Sequence, residues 1–260
     1  WKRVTGVQTC ALPICHAEAD SLLGWAWRTA DSLGSAQEAV PAADSYYRLL
    51  LVDGTPAPIL SFGSRLLDRY ESRMNLNERV PIVVGMARAR LVQGRPDAAL
   101  QILRPYLVAA DTARTLTRLT RADLQLAIAN TYQATDVTKA LSWLARGVQT
   151  WESARDAMRS PEYREAQSLP SEFATTTAQI WLTQVRGGTP EQRAVRAFEA
   201  MQRFKGRTLL ERGAAVRGLE RAPGSWGFSL AALQRSGLRP GEVFLDYQIG
   251  RASGYLFVVT

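Results

Sequence analysis

One apolar register recurs along this chain and narrows what it can fold into. Positions i, i+3, i+4, i+7, i+8 and i+11 are apolar or small in Ile59, Phe62, Gly63, Leu66, Leu67 and Tyr70. The same spacing returns in Ala99, Ile102, Leu103, Tyr106, Leu107 and Ala110, and again in Ala140, Trp143, Leu144, Gly147, Val148 and Trp151. A looser copy runs through Ala194, Ala197, Phe198, Met201, Phe204/Lys205 and Thr208. Each set is one wide stripe of an amphipathic helix.

The punctuation before these stripes recurs too, as Asp53-Gly-Thr-Pro56, Gly94-Arg-Pro-Asp97, Thr135-Asp136 and Gly187-Gly-Thr-Pro190. Glycine ends an incoming helix at low strain, and Pro or Asp opens the next one. A partner helix precedes each turn, such as 77–93 and 115–134. Leu116, Leu119, Leu126 and Ala127 cover one side of the latter, while Leu124, Ile128 and Tyr132 cover another. A helix apolar on two sides is sandwiched, as the inner helix of a stacked hairpin must be. An α-solenoid follows, in which each hairpin buries its face only against its neighbours. Residues 38–51 carry the same stripe (Ala39, Ala42, Ala43, Tyr46, Tyr47, Leu50) so close to the next that the pairing of the first helices stays open. Trp25, Trp27, Trp143, Trp151 and Trp181 fall mostly on these stripes and read as core. Ser160–Pro170 reads as a longer connection between repeats.

After Gly224 the helical period gives way to alternation. Val243, Leu245, Tyr247 and Ile249 face one way, and Glu242, Phe244, Asp246 and Gln248 the other. Gly250–Gly254 makes a hairpin turn. In Gly254–Thr260 both faces are apolar, the pattern of an interior strand in a covered sheet. Two strands alone are marginal in water, so the sequence predicts more sheet beyond Thr260 and a chain truncated there.

Composition removes several function classes. The net charge is +8 and nearly all the cation is arginine, as only Lys2, Lys139 and Lys205 are lysines. The arginines are scattered over polar helix faces rather than gathered in a basic patch, so no nucleic-acid partner is expected. Arg114, Arg118 and Arg121, at i, i+4 and i+7, form the one tight set. They are the candidate partner-binding residues for an acidic peptide, although a solvated helix face is the reading the pattern favours. No apolar run is long enough to span a membrane. No cofactor fingerprint is present. Cys10, Cys15 and His16, the only cysteines and histidine, cannot supply the four ligands of a structural zinc. No metal site or catalytic residue is assigned, and the compartment stays open.

Val4–Ile14 has a separate explanation. All its residues match the in-frame translation of a common short-read sequencing adapter. Residues 1–15 are therefore read as non-native and set aside, as a fusion scar would be, and the native N-terminus is expected to be missing.

Two resemblances carry the functional expectation. Residues 84–100, with small Ala87, turn residue Gly94 and small Ala99, resemble a tetratricopeptide repeat (TPR), and residues 120–151 resemble a second with Ala140 in the place of Ala99. Spacing nearer 40 than 34 residues departs from that repeat. Arg203-Phe-Lys-Gly-Arg-Thr-Leu-Leu210, Leu230-Ala-Ala-Leu-Gln234, Leu238–Gln248 and Tyr255–Thr260 then resemble, in order, the entry into a CHAT domain, the caspase-like domain that accompanies TPR repeats in bacteria.

The expected fold is thus mostly α: a TPR-like solenoid over 16–213, a linker over 214–228, and the opening β-hairpin of a truncated α/β caspase-like domain over 229–260. The resemblance implies that the chain is the interaction and regulatory arm of a TPR–CHAT protein, whose full-length form is a cysteine peptidase. The alternative is a non-catalytic scaffold with a degenerate CHAT domain. The family's His and Cys lie downstream, so no catalytic role transfers to this chain. Asp246 and Tyr247 are expected to be structural.

Overall fold

The structure, a computed structural model, describes residues 16–158, 169–205, 229–249 and 254–260. It is mostly helical, with one two-stranded antiparallel sheet near the end. The chain divides into two compact units, Trp1–Leu116 and Thr117–Thr260.

In the first unit, α1 (His16–Ser32), α2 (Ala36–Asp53), α3 (Pro56–Tyr70), α4 (Leu76–Val92) and α5 (Pro96–Leu103) follow one another, and each packs on the next. A short α6 (Leu107–Thr112) closes the unit. The anticipated turns occur as read. Gly54 caps α2 at φ 69°, a left-handed conformation open to glycine, and its N–H reaches Leu50 O at 3.1 Å. Pro56 and Pro96 then occupy first-turn positions of α3 and α5. Asn75 opens α4 with a full capping box, its side chain accepting from the Asn77 and Glu78 amides while Glu78 Oε2 accepts from the Asn75 amide at 2.8 Å.

The stripes become the core. Ile59, Phe62, Leu66 and Tyr70 of α3 are buried with Trp27, Ala43, Tyr47 and Leu50. Trp27 meets Phe62 edge-on at 5.4 Å and Tyr70 at 6.0 Å, geometries that suit the ring quadrupoles. Tyr47 donates to Ile82 O at 2.9 Å, and Tyr70 to Asp31 Oδ1 at 2.7 Å. Burial pushes both hydroxyls above the usual tyrosine range, with the Asp31 bond adding to the rise at Tyr70.

In the second unit, α7 (Arg118–Tyr132) and α8 (Val137–Asp156) pack together, and α9 (Leu169–Gln179) packs on α10 (Pro190–Gln202). Leu124, Leu126, Ala127 and Ile128 are all fully buried, as a two-sided apolar pattern requires. Asp136 caps α8 through the Lys139 amide at 3.0 Å, and Thr189 forms a capping box with Gln192 at the start of α10. Phe173 stacks on Phe204 at 6.1 Å and lies 6.5 Å from Trp151.

Three expectations are corrected. Residues 115–134 are not helical throughout: α7 begins at Arg118, because Thr117 caps it by accepting from the Thr120 amide at 3.2 Å. The last long helix, read as running from Ala197 on to Glu211, ends at Gln202, and 206–211 lie outside the described residues. There Phe204 turns into the ring cluster and Lys205 toward β1. Trp25 is not core: it is 62% exposed, on the outer side of α1 from Trp27 at 4%. The readings on residues 1–15, Ser160–Pro170 and the 214–228 linker fall wholly or mostly outside the described residues.

Candidate partner-binding surface

The three arginines singled out from the sequence do not share one helix face. Arg114 stands exposed in the turn before α7, so the i, i+4 step from it to Arg118 is not made along a helix. Arg118 and Arg121 both lie in the first turn of α7. Arg118 Nη1 donates to the Ser153 carbonyl of α8 at 3.0 Å, tying the helix pair together. Arg121 is only half-exposed. The spacing was legible; the Thr117 cap that interrupts it was the signal to weigh, since a threonine three residues before another polar residue marks a helix start.

A better-defined surface lies where the sheet meets α9 and α10. Strand β1 (Phe244–Ile249) pairs with β2 (Gly254–Val259) in a register that sets Leu245 opposite Val258, Asp246 opposite Phe257 and Tyr247 opposite Leu256. Alternation sends Asp246, Gln248, Phe257 and Val259 inward, each no more than 8% exposed. Phe257 meets Phe198 of α10 at 5.4 Å. The two inward polar side chains are satisfied. Lys205 Nζ donates to Asp246 Oδ1 at 2.5 Å and to Tyr247 O at 2.6 Å, while Gln202 Nε2 donates to Asp246 Oδ2 at 2.5 Å. Gln248 Nε2 donates to Thr175 Oγ1 at 3.2 Å. Asp246 is therefore a structural anchor, because a carboxylate at this depth is tolerable only when paired.

The consequence is an inverted sheet. Its face toward the helices mixes Asp246 and Gln248 with Phe257 and Val259, while its outward face is apolar. Val243, Leu245, Tyr247, Leu256 and Val258 are each between 49% and 59% exposed. Contiguous apolar faces of this kind mark sites that another structure covers.

His16 Nε2 lies 2.7 Å from Asp53 Oδ1. No cluster of three His, Cys, Asp or Glu side chains is placed to hold a metal among the described residues. No helix there is long and apolar enough to cross a membrane. Comparison with known proteins finds no family model, no curated protein and no solved structure that matches the chain.

Proposed function

We propose that this chain is the protein-binding and regulatory arm of a larger protein of the TPR–CHAT kind. Its helical hairpins present a recognition surface, and its terminal hairpin opens a caspase-like module whose full-length form is a cysteine peptidase. The observation that carries this reading is the uncovered apolar face of Val243, Leu245, Tyr247, Leu256 and Val258. A two-stranded sheet with one side docked on helices and the other side apolar suits the first layer of a larger sheet domain, and suits a finished surface poorly. The turn pattern and small residues Ala87, Ala99 and Ala140, all buried or fully buried at helix contacts, support the repeat reading of the arm.

The test compares residues 17–213 with residues 17–260 by sedimentation and circular dichroism. The shorter piece is expected to be a helical monomer, and the longer one to associate through its sheet face and edges. Leu245→Lys with Val258→Lys should return the longer piece to monomer. A wild-type 17–260 that stays monomeric at high concentration, with its strand amides protected, would overturn the reading.

A further inference from the structure

In the first unit, α1, α2 and α3 leave a half-open cleft of about 170 Å³ at their surface. Its floor is Trp27, Leu50 and Phe62, each at most 6% exposed, and Tyr46 forms a wall edge-on to Phe62 at 5.0 Å. Arg28 and Arg65 stand at the rim from opposite helices. Arg65 lies over the Phe62 ring at 6.0 Å. Arg28 folds back across Gly24, its Nη1 3.2 Å from where a Cβ there would stand and the Tyr46 ring 3.6 Å from the same point. The missing side chain at Gly24 thus leaves room for both the guanidinium and the ring. Among the described residues no carboxylate lines the cleft; burial raises the pKa of the Tyr46 hydroxyl, its bond to Asp20 adds to the rise, and Arg28 and Arg65 oppose it.

We propose that this cleft docks an acidic segment of a partner protein, which seats one apolar side chain on the Trp27–Phe62 floor and an adjacent carboxylate between Arg28 and Arg65. Size decides the class of occupant. Small-molecule and cofactor pockets run to roughly 300–1,000 Å³ and enclose most of the ligand. This cleft is smaller and open on one side, and matches a single side chain, near the roughly 150 Å³ that holds a benzene ring in an engineered cavity. Aromatic walls with arginine at the rim are the composition that concentrates binding energy at protein interfaces. Charge decides the partner's sign, since the charged residues lining the cleft are two arginines, and the nearby Asp20 is engaged by the Tyr46 hydroxyl. Nucleic acid is disfavoured, because Trp27 and Phe62 are engaged edge-on with neighbouring rings and offer no run of open faces for successive bases. The proposal rests on the chain being a protein-binding arm. That broader reading has its own test in the sheet, which this one does not touch.

The experiment is an NMR titration of the full chain with acetyl-Glu-Asp-Phe-Asp-Glu-amide, following the Trp27 indole and the Gly24 and Tyr46 amides. Comparison probes replace Phe with Ala, replace every acidic residue with Lys, or are a short oligothymidylate. Saturable shifts centred on the cleft are expected, weakened roughly tenfold or more by either peptide change, the scale of one charge-assisted contact or one buried side chain. Arg28→Glu with Arg65→Glu, both at exposed positions, should abolish binding of the acidic peptide and admit the Lys one. Shifts elsewhere, no shifts, equal response to acidic and basic peptides, or preference for the oligonucleotide would each overturn the proposal.

Discussion

Gly85→Ala isolates how closely the helices of the first unit approach. A Cβ at Gly85 would lie 2.6 Å from the Tyr47 hydroxyl, 2.7 Å from Leu51 Cδ2 and 3.1 Å from Tyr47 Cε1. Tyr47 cannot step aside, for it is 1% exposed and bonded to Ile82 O. Overpacking of this kind costs about 1–3 kcal/mol, and disturbing the hydroxyl's bond adds about 1 kcal/mol. Replacing a mid-helix glycine returns about 1 kcal/mol. The net expectation is a loss of about 2 kcal/mol, or roughly 8 °C for a unit near 100 residues. Tyr47→Phe removes the closest clashing atom and the bond together. In that background Gly85→Ala should cost no more than about 1 kcal/mol, a coupling that a double-mutant cycle resolves. Urea unfolding read by hydrogen exchange at the α4 amides reports on this unit specifically. A neutral or stabilising Gly85→Ala, or the same cost with and without the hydroxyl, would refute the close-approach argument.

Three further outcomes follow from the same geometry. Asn75→Ala removes both side-chain acceptor bonds of the α4 capping box and should lower stability by about 1 kcal/mol in urea unfolding, with exchange rising first in the first turn of α4. Asp246→Ala strands Lys205 and Gln202 and should cost roughly 2 kcal/mol; amide exchange should rise in β1 and β2 while α7 and α8 stay protected. Because burial raises the Tyr47 pKa, the unfolded chain loses that proton near pH 10 while the folded chain keeps it. Stability is then fully present below about pH 10 and falls as pH climbs above it. Urea midpoints between about pH 8 and about pH 11 should drop for wild type and drop less for Tyr47→Phe, with Tyr46, Tyr70 and Tyr106 supplying the remainder.

The helical part was legible because its signals are local. Stripes at 59–70 and 140–151 and the turns at Gly54, Gly94, Asp136 and Thr189 needed only spacing and cap chemistry, and they hold to within a turn; the 99–110 stripe keeps its buried positions but not its single helix, which a 3-10 turn at Arg104–Tyr106 breaks around Pro105. What failed depended on contacts distant in sequence. Nothing within the final helix says that it stops at Gln202; Asp246, some forty residues on, draws Lys205 out of it. Which face of the hairpin turns inward was likewise undecidable from alternation. Both faces of β2 are apolar, and the choice lies with Lys205, Gln202 and Thr175 supplying partners for Asp246 and Gln248. The arginine spacing looks helical, but the set does not lie on one helix, because the Thr117 cap starts α7 only at Arg118. The cleft of Arg28 and Arg65 left no trace in spacing, since it is made by three helices and by the absence of a side chain at Gly24.

The proposed function has the helical hairpins as a protein-binding arm and the hairpin at 244–259 as the opening of a caspase-like sheet domain. The most direct measurement is to sequence the source transcript across and beyond codon 260. The account predicts an open frame that continues into further alternating strands, with a histidine and then a cysteine each following a strand. A frame that closes at once, or that resumes helical repeats with no strand, would contradict it.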